Sequence, residues 1–315
     1  MKFKKNLKRL KGDASFRIFF RKKEKNLSSI IVFANKDKKK NLLVYDAINK
    51  FLIMNNILAP KLLNKNYPKN YIEIEDFGNQ TVFKLLKKKS INKLEIFKKV
   101  IKLLCKIQLI KQRQIKDFKK KNYKIPTYQP KILLAETKLF LDWYISKNLR
   151  KSKQFIFKKK FIKIIKNLIK KIRLKNDIFV HRDFHVSNLM MVNNKIGIID
   201  SQDALIGNKA YDLASLIDDV RFNTSVDFKK KIFNFYLRSQ KKLNKKFFKN
   251  DFEIISVIRN LKIIGIFTRL AVRDNKKKYL KLIPYAWNLI RLRSKNDKKF
   301  KDLNDLLNIY KNNKI

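Results

Sequence analysis

The spacing of apolar and polar positions changes character near Gly78. Before it, two short apolar runs, Phe16 to Arg21 and Ser28 to Ala34, read as strands of a hairpin. Gly12 to Ser15 forms the turn that precedes them, and the basic stretch from Met1 to Lys11 reads as a helix or a loose lead-in. Val44, Ile48, Phe51 and Leu52 recur at helical spacing and predict a helix over Asn41 to Asn55, which Ala59-Pro60 ends. Tyr71 to Glu75 alternates apolar and acidic residues, as a strand with one wet face does.

After Gly78 the period is helical. Asn92 and Glu95 are spaced as a capping box, and Phe97, Val100, Ile101, Leu104 and Ile107 mark the buried face that follows. Cys105 falls within that stripe and reads as core. Lys116 to Pro130 is polar, holds two prolines and reads as a connecting loop. Amphipathic helices are predicted over Lys131 to Lys147, Phe155 to Leu174, Asp212 to Arg221, Asp227 to Lys241, Asp251 to Val272, Tyr279 to Arg293 and Asp297 to Tyr310. Short strands flank a polar loop near residue 183. The pattern predicts an α+β protein with two lobes. Residues 1–78 would form a small sheet lobe and residues 79–315 a larger, mostly helical one.

Composition narrows the class. One cysteine and two histidines can build neither an intrachain disulfide nor a zinc cluster, which fits a reducing compartment. Lysine and arginine number 79 against 25 acids, a net charge of +54. Such a charge points to polyanionic partners, but the lysines are dispersed along the whole length. Lys, Asn, Ile and Phe are abundant together while Gly and Pro stand at five each. A genome rich in A/T codons yields that pattern without any selection for nucleic acid. No stretch approaches about 18 uninterrupted apolar residues, so no membrane span is expected, nor is a secretory signal. The expectation is a cytoplasmic protein, a monomer with no specific nucleic-acid partner.

The candidate chemistry lies between two apolar runs, Ile178 to Val180 and Ile196 to Ile199. His181-Arg182-Asp183 is followed by Asn188 five residues after the aspartate, and the second run ends in Asp200. Kinases use this H-R-D-x-x-x-x-N loop, over 181–188 here, and a metal aspartate at a strand end. Asp183 can take the proton of an acceptor hydroxyl and align its approach. An amide oxygen from Asn188 and a carboxylate from Asp200 suit Mg²⁺, a hard cation that takes oxygen ligands. His181 is expected to brace the loop. Glu75-Asp76-Phe77-Gly78 reads as the hinge at which backbone groups meet an adenine, with Glu75 and Phe77 as its contacts.

His185 stands where protein kinases usually carry lysine, and neither D-F-G nor A-P-E follows. Instead H-x-D-x-H-x-x-N leads through I-I-D to Gly207-Asn-Lys-Ala-Tyr211-Asp212-Leu213-Ala214. That series resembles the aminoglycoside phosphotransferase family of small-molecule kinases, over about residues 10 to 275. Gly12 to Arg17, Ile74 to Gly78 and Asp200 to Ala204 resemble one bacterial branch of it. Members of that branch phosphorylate the anomeric hydroxyl of N-acetylmuramate and N-acetylglucosamine in cell-wall sugar recycling. The resemblance implies a kinase-like fold with ATP and Mg²⁺ as cofactors, and places Ser15 and Arg17 near the nucleotide phosphates. It also implies a strand lysine paired with a helix glutamate, and here the sequence departs. Ile30 to Ala34 holds no lysine, and the helix after it holds no glutamate.

In such kinases the acceptor binds beside the catalytic aspartate. Gln202, Asp203, Asp218, Asp219 and Arg221 follow Asp200 closely; carboxylates and amides suit sugar hydroxyls, and Arg221 is fitted to a carboxylate. An aminoglycoside needs an acidic pocket, which 25 acids under a net +54 assemble poorly. The expectation is therefore a kinase of a small sugar. The alternatives are a kinase of an aminoglycoside or choline-like acceptor, and a basic RNA- or membrane-associated module with a vestigial kinase fold.

Overall fold

The computed structural model of the chain describes residues 7–10, 17–25 and 27–312. The chain forms two compact units, and neither ends at Gly78. One takes in the described residues up to Pro126 together with Ile178–Ile206; the other joins Thr127–Asp177 to the described residues from Gly207 onward. The segment that carries His181, Asp183, Asn188 and Asp200 thus belongs to the same unit as the N-terminal sheet.

The first unit is built on an antiparallel sheet of five strands. These are β1 (Leu7–Leu10), β2 (Ile18–Glu24), β3 (Leu27–Phe33), β4 (Leu62–Asn66) and β5 (Tyr71–Glu75), in the order β1-β2-β3-β5-β4. The register pairs Ile30 with Ile74 and Val32 with Ile72, so strand alternation puts all four side chains on one face. Leu42 and Tyr45 of helix α1 (Lys40–Met54) close a core with them. Val32 and Ile72 are fully enclosed there, each burial contributing about 1.5–3 kcal/mol. Two expectations fail here. Leu7–Leu10 is neither helix nor loose lead-in but edge strand β1, paired from Leu7 opposite Lys22 to Leu10 opposite Phe19. Strand β4 is also additional. Four or five residues carry too little periodicity to announce a strand, and only the partner decides it.

A short helix, α2 (Val82–Leu86), and a longer one, α3 (Lys93–Gln108), follow. Asn92 caps α3 by accepting from the N–H groups of Leu94 (3.1 Å) and Glu95 (3.3 Å), while Glu95 pairs with Lys98 at 2.7 Å. Cys105, expected in the core stripe, is half-buried. The expected loop from Lys116 holds a small hairpin instead: β6 (Gln114–Lys116) pairs with β7 (Asn122–Lys124). Asp117 closes its turn, its carboxylate accepting from the N–H groups of Lys119 and Lys121 at 2.7 and 3.1 Å. From the later part of the chain this unit receives the β8 (Asn176–Val180) end, β9 (Leu189–Val192), β10 (Lys195–Ile198) and the start of β11 (Leu205–Asn208).

The second unit is helical. It contains α4 (Pro130–Leu139), which runs through a π-helical turn (Phe140–Ile145) into α5 (Ser146–Asn148), then α6 (Lys151–Lys170) and α7 (Ala210–Ile217). The remainder are α8 (Val226–Arg238), α9 (Lys245–Val272), α10 (Ile283–Ser294) and α11 (Lys301–Asn312). Helix α9 is buried on most of its circumference, with α4, α7 and α10 packed round it. Gly265 permits the closest approach. A Cβ there would run into the backbone of Leu139 and Phe140, where the π-helical turn begins. A polar knot also holds this unit. Asp218, its side chain wholly buried, meets Arg293 through two bonds of 2.8 and 3.0 Å, Ser256 at 2.6 Å and the Lys229 amine at 3.4 Å.

Candidate active site

Strands β9 and β10 pair antiparallel from Leu189 opposite Ile198 to Val192 opposite Lys195. The turn between them, Asn193-Asn194, lies in the left-handed region at φ 46° and 59°, which asparagine tolerates and which matches strand twist. Asn188 immediately precedes β9, and Ile199-Asp200 immediately follows β10. The Ile199 N–H donates to the Asn188 carbonyl at 3.1 Å, extending the ladder by one rung. Twelve residues of sequence separation are thereby folded into one hairpin mouth.

The loop carrying Asp183 is braced from several sides. His181, 1% exposed, has Nε2 at 3.1 Å from the Ile199 carbonyl. The Asp183 carbonyl accepts from the His185 N–H (2.9 Å) and from Asn188 Nδ2 (3.1 Å). Arg182 adopts φ 74°, and its Nη1 donates to the Asp203 carbonyl at 3.3 Å. With its amide nitrogen so used, Asn188 retains its oxygen for another partner.

Asp200 also sits at positive φ, 63°, a conformation uncommon away from glycine and often held at functional positions. Its Oδ1 accepts from Arg17 Nη2 and from Gln202 Nε2, both at 3.1 Å, which leaves Oδ2 to other ligands. Although the side chain is partly exposed, loss of hydration at this position raises its carboxyl above the ordinary value. The Arg17 guanidinium opposes that, and the Asp183 charge reinforces it. Asn188 and Asp200 together present hard oxygen donors beside Asp183, a set that fits Mg²⁺ and would exclude a soft metal. Among the described residues, no group of three or more His, Cys, Asp or Glu side chains forms a separate metal centre.

Arg17 is buried at the start of β2. Its Nη1 donates to Asn41 Oδ1 at 2.6 Å, and its guanidinium lies 5.7 Å from the Tyr45 ring centre. Asn49, one turn further along α1, accepts from Ser201 Oγ at 2.9 Å while donating to the Pro60 carbonyl at 3.1 Å. Asn41, Tyr45 and Asn49 thus form an i, i+4, i+8 stripe aimed at the segment around Asp200. Burial pushes the Tyr45 hydroxyl well above its usual range, and the Asp200 charge pushes further. These three residues were not singled out from the sequence. The available signal was a polar stripe at four-residue spacing on an otherwise apolar helix.

The hinge is organised by its middle residue. Asp76 accepts from Arg21 Nη2 at 2.9 Å, the Ser28 hydroxyl at 2.5 Å and the Gly78 N–H at 2.9 Å, and Arg21 Nε adds an ion-pair contact at 2.6 Å. Burial alone would raise its carboxyl, but those donors hold it below the ordinary value. Gly78 turns the chain at φ 76°. Phe77 is buried with its ring against Gly197 of β10, where a Cβ would collide with it. Glu75 ends β5, its Oε2 accepting from the Lys61 N–H at 3.3 Å.

Of the remaining expected residues, Ser15 lies outside those described. Gln202 is buried and turned onto Asp200 and Asp203 (3.1 and 2.9 Å), whereas Asp203 is exposed. In the helical unit, Asp219 is buried, with Oδ1 accepting from the Arg221 N–H at 3.0 Å. Its Oδ2 is buried without a hydrogen bond, and the Arg221 guanidinium lies 5.7 Å from the Phe267 ring centre.

A sheet-bearing unit with this loop and hairpin defines a small-molecule kinase fold, and comparison places it within one family. Residues 6–244 match the phosphotransferase enzyme (APH) family, and the chain belongs to it. It is 28% identical over 291 residues to an N-acetylmuramate/N-acetylglucosamine kinase of Neisseria meningitidis, covering 89% of this chain and 83% of that one. A choline/ethanolamine kinase family protein from Mesorhizobium loti has the same fold at 11% identity, with TM-score 0.62 over 96% of this chain and 92% of its own. The amicoumacin kinase hAmiN, solved with AMP-PNP and Ca²⁺, matches at 13% identity and TM-score 0.62, over 92% and 89%. The protein is therefore an enzyme, a kinase with the α+β fold that the sequence pattern predicts.

Proposed function

We propose that the protein transfers the γ-phosphoryl group of ATP, with Mg²⁺, to the anomeric hydroxyl of N-acetylmuramate or N-acetylglucosamine. The hairpin that sets Asn188 and Asp200 beside Asp183 carries the phosphotransfer reading. The relatives' substrate supports the choice of sugar. Asp183 accepts the hydroxyl proton as the new oxygen–phosphorus bond forms and the bond to the ADP oxygen breaks. An anomeric hydroxyl is more acidic than a primary alcohol, so a carboxylate suffices as base. Asn188 and Asp200 would hold the metal, which would supply neutralisation of charge on the phosphates. Arg17 stands in for the missing strand lysine: it joins helix α1 through Asn41 to Asp200 and brings a fixed positive charge to the phosphate side. Glu75 and Phe77 frame the adenine hinge. Gln202 orients Asp200, and Asp203 takes a polar group of the sugar.

Incubating the protein with Mg-ATP and either sugar, then reading phosphorus–proton coupling by NMR, tests this. The expected product is the 1-phosphate. Phosphorylation at C6, or turnover of a different alcohol with neither sugar consumed, overturns the substrate and leaves the kinase in place.

A further inference from the structure

Between Asp142 and Asp177 the chain carries 13 lysines and arginines and no acid. Most of that stretch is helix α6. Its inner face is closed by Phe157, Phe161, Ile165 and Leu168, all buried. Its outer face is different. Phe155 and Ile156 stand 76% and 58% exposed, with Lys151, Lys153, Lys159 and Lys160 exposed around them. Lys163, Lys166 and Lys170 continue the same exposed face toward the C-terminus.

The biased composition supplies lysine and phenylalanine everywhere, yet folding sorts them. Among the described residues Phe155 and Phe247 are the exposed phenylalanines, and Phe247 shows only 42%. An aromatic and an aliphatic side chain set side by side among ammonium groups match one kind of surface. A bilayer accepts both apolar side chains at its interface and, when anionic, attracts the lysines. A single-stranded nucleic acid would stack on Phe155 but offers Ile156 no counterpart.

We infer that the outer face of α6 docks this enzyme on anionic lipid bilayers, with Phe155 and Ile156 entering the interface and the lysines on the headgroups. The docking is peripheral: no helix among the described residues is long and apolar enough to cross a membrane. It does not rest on the identity of the sugar.

The test is co-sedimentation with phosphatidylglycerol-containing vesicles and with pure phosphatidylcholine vesicles. Wild type should partition onto the former and not the latter. F155S/I156S should reduce partition by about tenfold or more, since it removes the apolar contribution and leaves every charge. Lys159, Lys160 and Lys163 changed to Gln should weaken binding strongly. The exposed triplet Lys87, Lys88 and Lys89 changed to Gln is the charge-matched control and should weaken it much less. Circular dichroism and turnover in solution should be unchanged throughout, because none of these side chains is buried or belongs to the site. Undiminished partition of F155S/I156S, equal losses from the two lysine triplets, or no vesicle binding by wild type would each overturn the inference. So would a polyuridylate complex that the double variant abolishes while vesicle binding survives.

Discussion

Two aspartates, Asp200 and Asp218, are held in opposite ways. Asp218 is wholly enclosed, yet its carboxyl is held below the ordinary value. Burial works against ionisation, and Arg293, Lys229 and Ser256 outweigh it. Asp200 has a side chain 38% exposed and a carboxyl held above the ordinary value, with a single guanidinium at hand and a second carboxylate, Asp183, close by. The first is a charge whose needs the fold has met. The second is a charge with fewer partners, which is what its proposed role as a cation ligand requires. Burial alone would have ranked them the other way.

The largest expected effect falls on the under-satisfied side. Asp183→Asn should lower turnover by about 10²–10⁴-fold, the range of a lost general base. Its melting temperature and its nucleotide affinity should stay close to wild type. Turnover within a few-fold of wild type in a steady-state assay would assign the base elsewhere.

The counterpart on the satisfied side is Asp218→Ala. It strands the Arg293 guanidinium and the buried Lys229 amine, and breaking a buried pair in this way costs about 3–5 kcal/mol. Denaturant unfolding measures it. The linkage sign is that of a depressed carboxyl: the stabilisation is present above the unfolded value, about 3.9, and is lost as pH falls through the lower native one. The gap between wild type and variant should therefore close in acid, and a gap that stays constant to pH 3 would break the comparison.

A steric change is expected next in size. Gly265→Ala places a methyl group against the backbone of Leu139 and Phe140. Overpacking of this kind costs about 1–3 kcal/mol. The same unfolding assay checks it, and an unchanged midpoint would mean that the π-helical turn yields.

The contrast between the two aspartates also shows what the sequence could disclose. Asp183, Asn188 and Asp200 were legible because their spacing is fixed by a loop and a two-stranded hairpin, both local in the chain. The long helices were legible through their apolar period. Arg17 meets Asp200 across 183 residues and Asn49 meets Ser201 across 152, while Asn41 reaches the segment through Arg17. Nothing local encodes such partners, so the missing strand lysine registered only as a gap. Strands β1 and β4 escaped for a similar reason, since a strand of four or five residues takes its identity from its neighbour. Asp218 and Asp219 are adjacent and look alike in sequence. Only the packing shows that one is fully paired while the other keeps a buried oxygen without a hydrogen bond.

The smallest expected effect is the most direct probe of that contrast, because it makes one chemical change in two places. Asp218→Asn and Asp200→Asn each remove a negative charge while keeping the shape of the side chain. The first should destabilise the protein at neutral pH. The second should leave stability equal or slightly raised, since a carboxyl held above its ordinary value is one whose ionised form the native state disfavours. Arg17 keeps Asn41 as a partner in that variant, and asparagine accepts the positive φ at this position as readily as aspartate. The sign is opposite to that at Asp218. Wild type has full stability from this group below the unfolded value of about 3.9 and loses it as pH rises through the raised native one. The Asp200→Asn advantage should thus be greatest at neutral pH and vanish in acid. Because the side chain is partly exposed, solvent screening keeps the effect small, and thermal melts of both variants across pH 3.5–7.5 should resolve it as a difference in sign. A neutral-pH loss at Asp200 as large as that at Asp218 would mean that Asp200 is a structural ion pair with Arg17, and its assignment as the metal ligand would fall with it.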